Sequence, residues 1–382
     1  MKTSMKLILV LLFTVFSVQT FAQKPEPVYS IVRQIHDFDW YEQQAKAWKQ
    51  EIDNGTTNNM AWVYWFNANR YAAFADAQKR KDSKADYFQK PEVILKLAEK
   101  AIPNSFELFY LKTKDNSAGH ESGEYILKAQ AIRPYDPLLL PELMNHYQFK
   151  NDKTNLETVS KKWFESNEMP QEILTTAYNN LISLDTNAIL ITYGDNDTYP
   201  YWVLQNAHKL RTDVTVVNVS LALIDSYRET LFKENGIPAL IIKNDSDREM
   251  KTVIKHSIEN QHEKPVYISI FADQDIYKSY ADKMYLVGLS YKYSKEPFDN
   301  LAVIRNSVEN KYLLDFLKQS FYNNYAQAVV NQINTGYLAI FLKLYEHYLI
   351  SGETDKAQKI KELAKSVAEK GNTTNWMKYF EK

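Results

Sequence analysis

The stretch 187–223, NAILITYGDNDTYPYWVLQNAHKLRTDVTVVNVSLAL, narrows the folds open to this chain more than any other. An apolar run, 188–193, has the length and β-branched content of a buried strand, and it stops at Gly194. An acidic turn follows: Asp195, Asn196, Asp197 and Thr198. Pro200 then stands where a first helical turn accepts proline. A second β-branched run occupies 214–221. Strand, polar turn, helix and strand in that order make one βαβ unit of a parallel sheet. Ligands of such sheets bind beyond the carboxyl ends of the strands, so 194–198 is the first candidate site.

The same residues carry a resemblance. An "NAIL" strand, the "GDNDT" turn, the aromatic-proline step Tyr199–Pro200 and the strand over 211–221 occur together here. In this the stretch 175–231 resembles the soluble periplasmic α/β domain of bacterial protein O-mannosyltransferase-like membrane proteins. The resemblance implies that domain type and an exported setting. The family's membrane half, where its transferase chemistry would sit, has no counterpart in this sequence, so transferase activity is not implied.

Residues 1–22 have the three parts of a secretory signal. Lys2 and Lys6 precede the apolar run 7–18, and Thr20, Phe21 and Ala22 form a small-residue cleavage site. The mature chain is expected to start at Gln23 and to be periplasmic or secreted. The apolar run is too short to span a bilayer core of ~30 Å, and no later run approaches that length. The chain has no cysteine, so neither disulfides nor thiolate metal sites hold it together. Its 46 Lys and Arg balance 47 Asp and Glu, which gives no reason to expect nucleic acid or an anionic membrane surface as partner.

Around the βαβ unit the pattern is helical. From 29 to 183 apolar residues recur at three- and four-residue spacing, and 60–66 is apolar nearly all round, as in a buried helix. With 27 Tyr and 18 Phe but 9 Gly, the composition suits packed helical hairpins better than a β-sandwich. Ala98 with Pro103, Ala129 with Pro134, and then Leu140, Leu143 and Tyr147 keep tetratricopeptide-like spacing. The match is better at Phe341, Leu344, Tyr348, Gly352, Ala357 and Ala364, which predict an antiparallel hairpin with Tyr348 between its helices. Between these regions, strands are expected at 239–243, 266–271 and 284–289, and helices at 225–234 and 247–260. The expected fold is α/β plus all-α, with a central parallel-sheet, Rossmann-like domain flanked by tetratricopeptide-like helical hairpins. The expected division is a signal peptide at 1–22, a helical region at 23–170, the α/β domain at 171–306 and a helical region at 307–382.

Carboxylates follow the first four expected strands: Asp195 and Asp197, Asp225, Asp245 and Asp247, Asp273 and Asp275. In a parallel sheet they share one edge. Asp is also a preferred turn and cap residue, which accounts for Asp247, Asp273 and Asp275. Thr198 is the expected cap of the helix beginning at Tyr199. Asp195 and Asp197 then lack a capping duty, and their i, i+2 spacing suits one divalent cation, Ca²⁺ or Mg²⁺, through oxygen ligands. The helix N-terminus is expected to favour their ionised forms. A D-x-D pair after a strand is also found in nucleotide-sugar glycosyltransferases, but it is a short pattern, and nucleotide sugars are cytoplasmic. Asn218 and Ser220, two apart in a strand, are expected to hydrogen-bond the acidic turn. Tyr199, Tyr201 and Trp202 read as core, with one ring free to flank the crevice. The chain contains no G-x-G-x-x-G, no P-loop and no H-E-x-x-H. The candidate binding set is therefore Asp195, Asn196, Asp197, Thr198, Asn218, Ser220 and Asp225.

Two functions fit. One is an exported, non-catalytic interaction or ligand-binding protein of the cell envelope, set among glycosylation proteins by the resemblance. It would dock a protein partner on its helical repeats and take a glycan or small ligand. The other is a metal-assisted hydrolase or glycan-processing enzyme using Asp195 and Asp197.

Overall fold

The computed structural model describes residues 25–114, 122–242, 244, 248–260, 264–319 and 326–381. The expected signal peptide, Asp245 and Asp247 lie outside the described residues, as does Lys243.

Among the described residues nine helices precede the first strand: α1 (Phe38–Asp53), α2 (Met60–Ala75), α3 (Ala77–Asp82), α4 (Pro91–Ala101), α5 (Phe106–Thr113), α6 (Ser122–Ile132), α7 (Leu140–Lys150), α8 (Lys153–Glu165) and α9 (Gln171–Ser183). Their starts are chemically marked. Asp37, Ser105 and Asp152 accept hydrogen bonds from backbone N–H groups three residues on, and Pro91 opens α4. The expected burial of 60–66 holds for most of its length: Ala61, Trp62, Val63, Trp65 and Phe66 are all core. α2 also buries Asn67 and Asn69, and both are satisfied. Asn67 donates to the carbonyl of Val28 (2.8 Å), while Asn69 donates to Trp65 and accepts from the Gln89 N–H. The Asn67 bond, with Trp48 Nε1 donating to the Glu26 carbonyl (2.8 Å), straps the segment before α1 across the helices.

The chain continues through β1 (Ile189–Thr192), α10 (Tyr199–His208), β2 (Thr215–Asn218), α11 (Asp225–Glu234), α12 (Met250–Glu259), β3 (Val266–Ser269), β4 (Met284–Leu286) and β5 (Ser290–Tyr293). The sheet order is β2-β1-β3-β5-β4. β1 lies parallel between β2 and β3, with Ile189 opposite both Thr215 and Val266. Every residue of β1, β2 and β3 is buried, which explains why their sequences are largely apolar with polar residues only at their ends.

The sheet is mixed and not wholly parallel as expected. The 284–289 run is only half strand. β4 ends at Leu286, the chain turns at Gly288 (φ +154°), and β5 returns antiparallel to both β4 and β3. Three residues cannot make a parallel crossover, so the short link forces a hairpin. A Cβ at Gly288 would fall 2.3 Å from the Tyr312 hydroxyl oxygen, so the turn also needs glycine for space.

The strand expected at 239–243 is absent over its described residues, 239–242. Pro238 has no N–H to give a ladder, and the carbonyls of the segment go to side chains instead. His256 Nε2 lies 2.7 Å from the Pro238 oxygen, and Arg228 Nε donates to Leu240 (3.1 Å). The helix expected from 247 begins at Met250.

α13 (Asn300–Asn310), α14 (Gln327–Asn334), α15 (Leu338–Ser351) and α16 (Thr354–Lys370) complete the chain. α15 and α16 form the expected hairpin. Gly352 closes it in the left-handed region (φ +76°), and Tyr348 is buried with its hydroxyl donating to Glu309. The expected boundary at 306 falls inside α13, which runs on unbroken. Apolar packing divides the molecule elsewhere. One core joins α1, α2 and α4 through α10 to the sheet, and a second joins Leu286, Leu289 and Ile304 to α15 and α16. Among the described residues no helix is long and apolar enough to cross a membrane.

Candidate functional site

The GDNDT turn leaves β1 through Gly194 (φ +84°) and closes on itself, with the Thr198 and Tyr199 N–H groups both donating to the Asp195 carbonyl. This fixes the backbone of four consecutive polar residues and sends their side chains two ways.

Asp197 and Thr198 point into the protein. Asp197 is 5% exposed; its Oδ2 accepts from the Tyr193 N–H (2.8 Å) and its Oδ1 from the Ser269 hydroxyl (2.6 Å) at the end of β3. Thr198 Oγ1 donates to the Gly194 carbonyl (2.7 Å), accepts from Asn218 Nδ2 (2.9 Å) at the end of β2, and lies 2.8 Å from Thr192 Oγ1. Asn218 Oδ1 in turn accepts from the Leu221 N–H. The carboxyl ends of all three parallel strands are thus tied by one buried polar network. Thr198 does not cap α10 as expected, because its hydroxyl is turned back to the strands. Desolvation also overrides the expected effect of the helix N-terminus. Burial pushes the Asp197 carboxyl up to about 8, against the lowering effect of its two hydrogen bonds.

Asp195 and Asn196 point outward, to a cavity of about 290 Å³ between the turn and the helices before the sheet. Asn196 Nδ2 donates to the Val32 carbonyl (2.7 Å), so the strap before α1 roofs the cavity. Trp163 and Tyr199 form part of the wall, with ring centroids 5.3 Å apart, and Tyr199 accepts from Asn145 Nδ2 (2.7 Å). Tyr199 is therefore the ring that reaches the crevice, while Tyr201 and Trp202 stay in the core. Two ion pairs line the space, Arg33 with Glu168 (2.7 Å) and Lys114 with Glu142. Arg70, from α2, and Asp195 also line it, and neither side chain has a hydrogen-bond or ion-pair partner among the described residues. Burial raises the Asp195 carboxyl above its ordinary value; Lys114 opposes the rise and Glu142 adds to it.

The two carboxylates expected to hold one divalent cation thus face different surroundings. Both oxygens of Asp197 are taken by protein donors, and Asp195 stands on the cavity wall. Among the described residues no three His, Asp or Glu side chains are placed to hold a metal ion. Ser220 is not in β2, which ends at Asn218; it starts the next turn, and no side-chain bond brings it to the network. Asp225 is exposed and clasps Arg228 (2.6 Å) and Arg248 (3.1 Å), holding the start of α11 to the segment before α12. Asp273 caps a short turn through the Asp275 N–H, as expected. The cation side of the cavity (Arg33, Arg70 and Lys114) comes from helices and strap with no motif of their own, and sequence reading misses it.

A family model described as TMEM260-associated domain 2 matches residues 173–335. This is under half of the chain, and it contains the sheet and the GDNDT turn but not Arg33, Arg70 or Lys114. Searches of curated proteins and of solved structures gave no match.

Proposed function

We propose that this chain is an exported, non-catalytic ligand-binding protein of the cell envelope, periplasmic or secreted, whose ligand occupies the cavity beside Asp195. The observation that carries this reading is that two side chains of opposite charge, Arg70 and Asp195, share one concave space and are satisfied by nothing described around them. Both side chains are only partly buried, and convergent charged groups in a concave space with no partner among the described residues are characteristic of a ligand site. The inward half of the turn is fully used in holding the strand ends, so Asp197 and Thr198 serve as its frame. The resemblance of 175–231 supports a glycosylation-related setting with a glycan or other small polar ligand. A Rossmann-like origin for the parallel strands, and tetratricopeptide-like stacking of the hairpins as a docking surface for a protein partner, belong to the same proposal.

The enzyme reading keeps one specific support. Asp195, its carboxyl raised by burial, lies in the field of a second carboxylate, Glu142, an arrangement that suits acid catalysis on a glycan. Binding without turnover separates the two.

Equilibrium dialysis against pooled amino acids, organic acids, and mono- and disaccharides, read by mass spectrometry, tests the proposal. The wild-type protein should retain at least one compound unchanged. Ser30→Trp, which fills the cavity from its roof, should release it while keeping the wild-type melting temperature. If the wild type retains nothing, or Ser30→Trp retains as much, the cavity is not a ligand site.

A further inference from the structure

We infer that the cavity takes a small zwitterion, an amino acid with an apolar or aromatic side chain, its carboxylate on Arg70 and its ammonium on Asp195; this rests on the cavity being a binding site.

The argument is one of charge. Three cations and three carboxylates line the cavity, and two of each are already paired, Arg33 with Glu168 and Lys114 with Glu142. The remaining two, Arg70 and Asp195, share the space without pairing with each other. Neither is free to leave. Arg70 is half-buried on α2, whose other faces are packed in the core. The Asp195 carbonyl is held by two backbone N–H groups at the mouth of α10, so its side chain cannot swing to solvent with the loop.

A ligand closing this cavity removes water from both charges. An anion alone satisfies Arg70 and strands Asp195; a cation alone does the reverse; a neutral sugar leaves both without a counter-charge. Stranding a buried charge is the costliest of these outcomes, so the ligand that fits carries one charge of each sign. A guanidinium meets a carboxylate through two parallel hydrogen bonds, and a carboxylate accepts well from an ammonium. Size agrees: about 290 Å³ lies at the lower limit of ligand pockets, suited to one amino acid and too small for an extended glycan. Leu138, Met169 and Ile173 give the wall an apolar part for the side chain.

Titration calorimetry of the full chain with L-leucine, L-methionine and L-phenylalanine tests this, with 2-phenylethylamine and 3-phenylpropionate as analogues lacking one charge, and D-glucose and D-mannose as neutral controls. At least one amino acid should bind, and removing either charge from L-phenylalanine should weaken binding at least about tenfold. Arg70→Gln should weaken the amino acid and 3-phenylpropionate but not 2-phenylethylamine, and Asp195→Asn should show the opposite pattern. Should either variant fail to fold, the analogue series on wild type decides alone. Binding of a sugar with every amino acid silent overturns the zwitterion and leaves the cavity a ligand site. Equal binding of phenylalanine and its two analogues overturns it as well. Silence from all these probes, with another compound retained in dialysis, removes the zwitterion only; empty dialysis removes both readings.

Discussion

Asp197→Asn should match the wild type only near the ordinary carboxylate pKa and should be increasingly the more stable protein as pH rises from 5 to 8. In the folded protein burial lifts the Asp197 carboxyl from its ordinary 3.8 to about 8. Below the unfolded value both states carry the proton, and the folded state keeps its full stability. As pH rises from there the unfolded chain releases the proton and the folded chain does not, so stability falls by about 1.4 kcal/mol per pH unit. The loss is complete once the pH passes the folded value, and it amounts to about 2 kcal/mol between pH 6 and pH 8. Asparagine copies the protonated acid in shape and bonding. Its oxygen accepts from the Tyr193 N–H, and its amide donates to Ser269, at the places where Asp197 now bonds both. It does not titrate, so subtracting one protein's stability from the other's cancels every other ionising group. Urea denaturation of both proteins at unit steps from pH 5 to pH 9 gives that difference directly. Asp197→Ala, which leaves Tyr193 and Ser269 unpaired, should be less stable than Asp197→Asn by about 2–5 kcal/mol at every pH. Parallel wild-type and Asn curves across the range would refute a buried, proton-holding Asp197, and with it the claim that desolvation dominates this network.

Tyr348→Ala removes a ring that is 1% exposed between α15 and α16, together with its bond to Glu309, and should cost about 3–5 kcal/mol by thermal or urea unfolding. A loss below about 1 kcal/mol would mean that the hairpin does not depend on this contact. For export, intact mass of the protein isolated from its native host should correspond to a chain starting at Gln23; a mass that retains residues 1–22 rules the proposed export out.

Local pattern alone determined a good part of this protein. Short β-branched runs ended by turn residues marked β1, β2 and β3, because a strand buried on both faces does not alternate polar with apolar residues. The 3.6-residue period marked the helices, and the Gly352 turn with its small and aromatic partners marked the last hairpin. Tertiary structure decided the rest. β5, with sequence SYKY, carries no apolar run, and it is a strand because β3 and β4 offer it free edges. The segment 239–242 looks like a strand, and it is none because Pro238 before it has no N–H for a ladder and Arg228 takes the Leu240 carbonyl. The GDNDT turn was legible as a candidate site, but its division into a structural half and an open half was not. Which way a side chain points from a turn depends on what lies on each side, here β3 behind Asp197 and the helices in front of Asp195. The cavity charges lie far apart along the chain, from Arg33 to Asp195. Periodicity records how each segment is buried; only packing decides which charges meet and which two, Arg70 and Asp195, have no partner among the described residues.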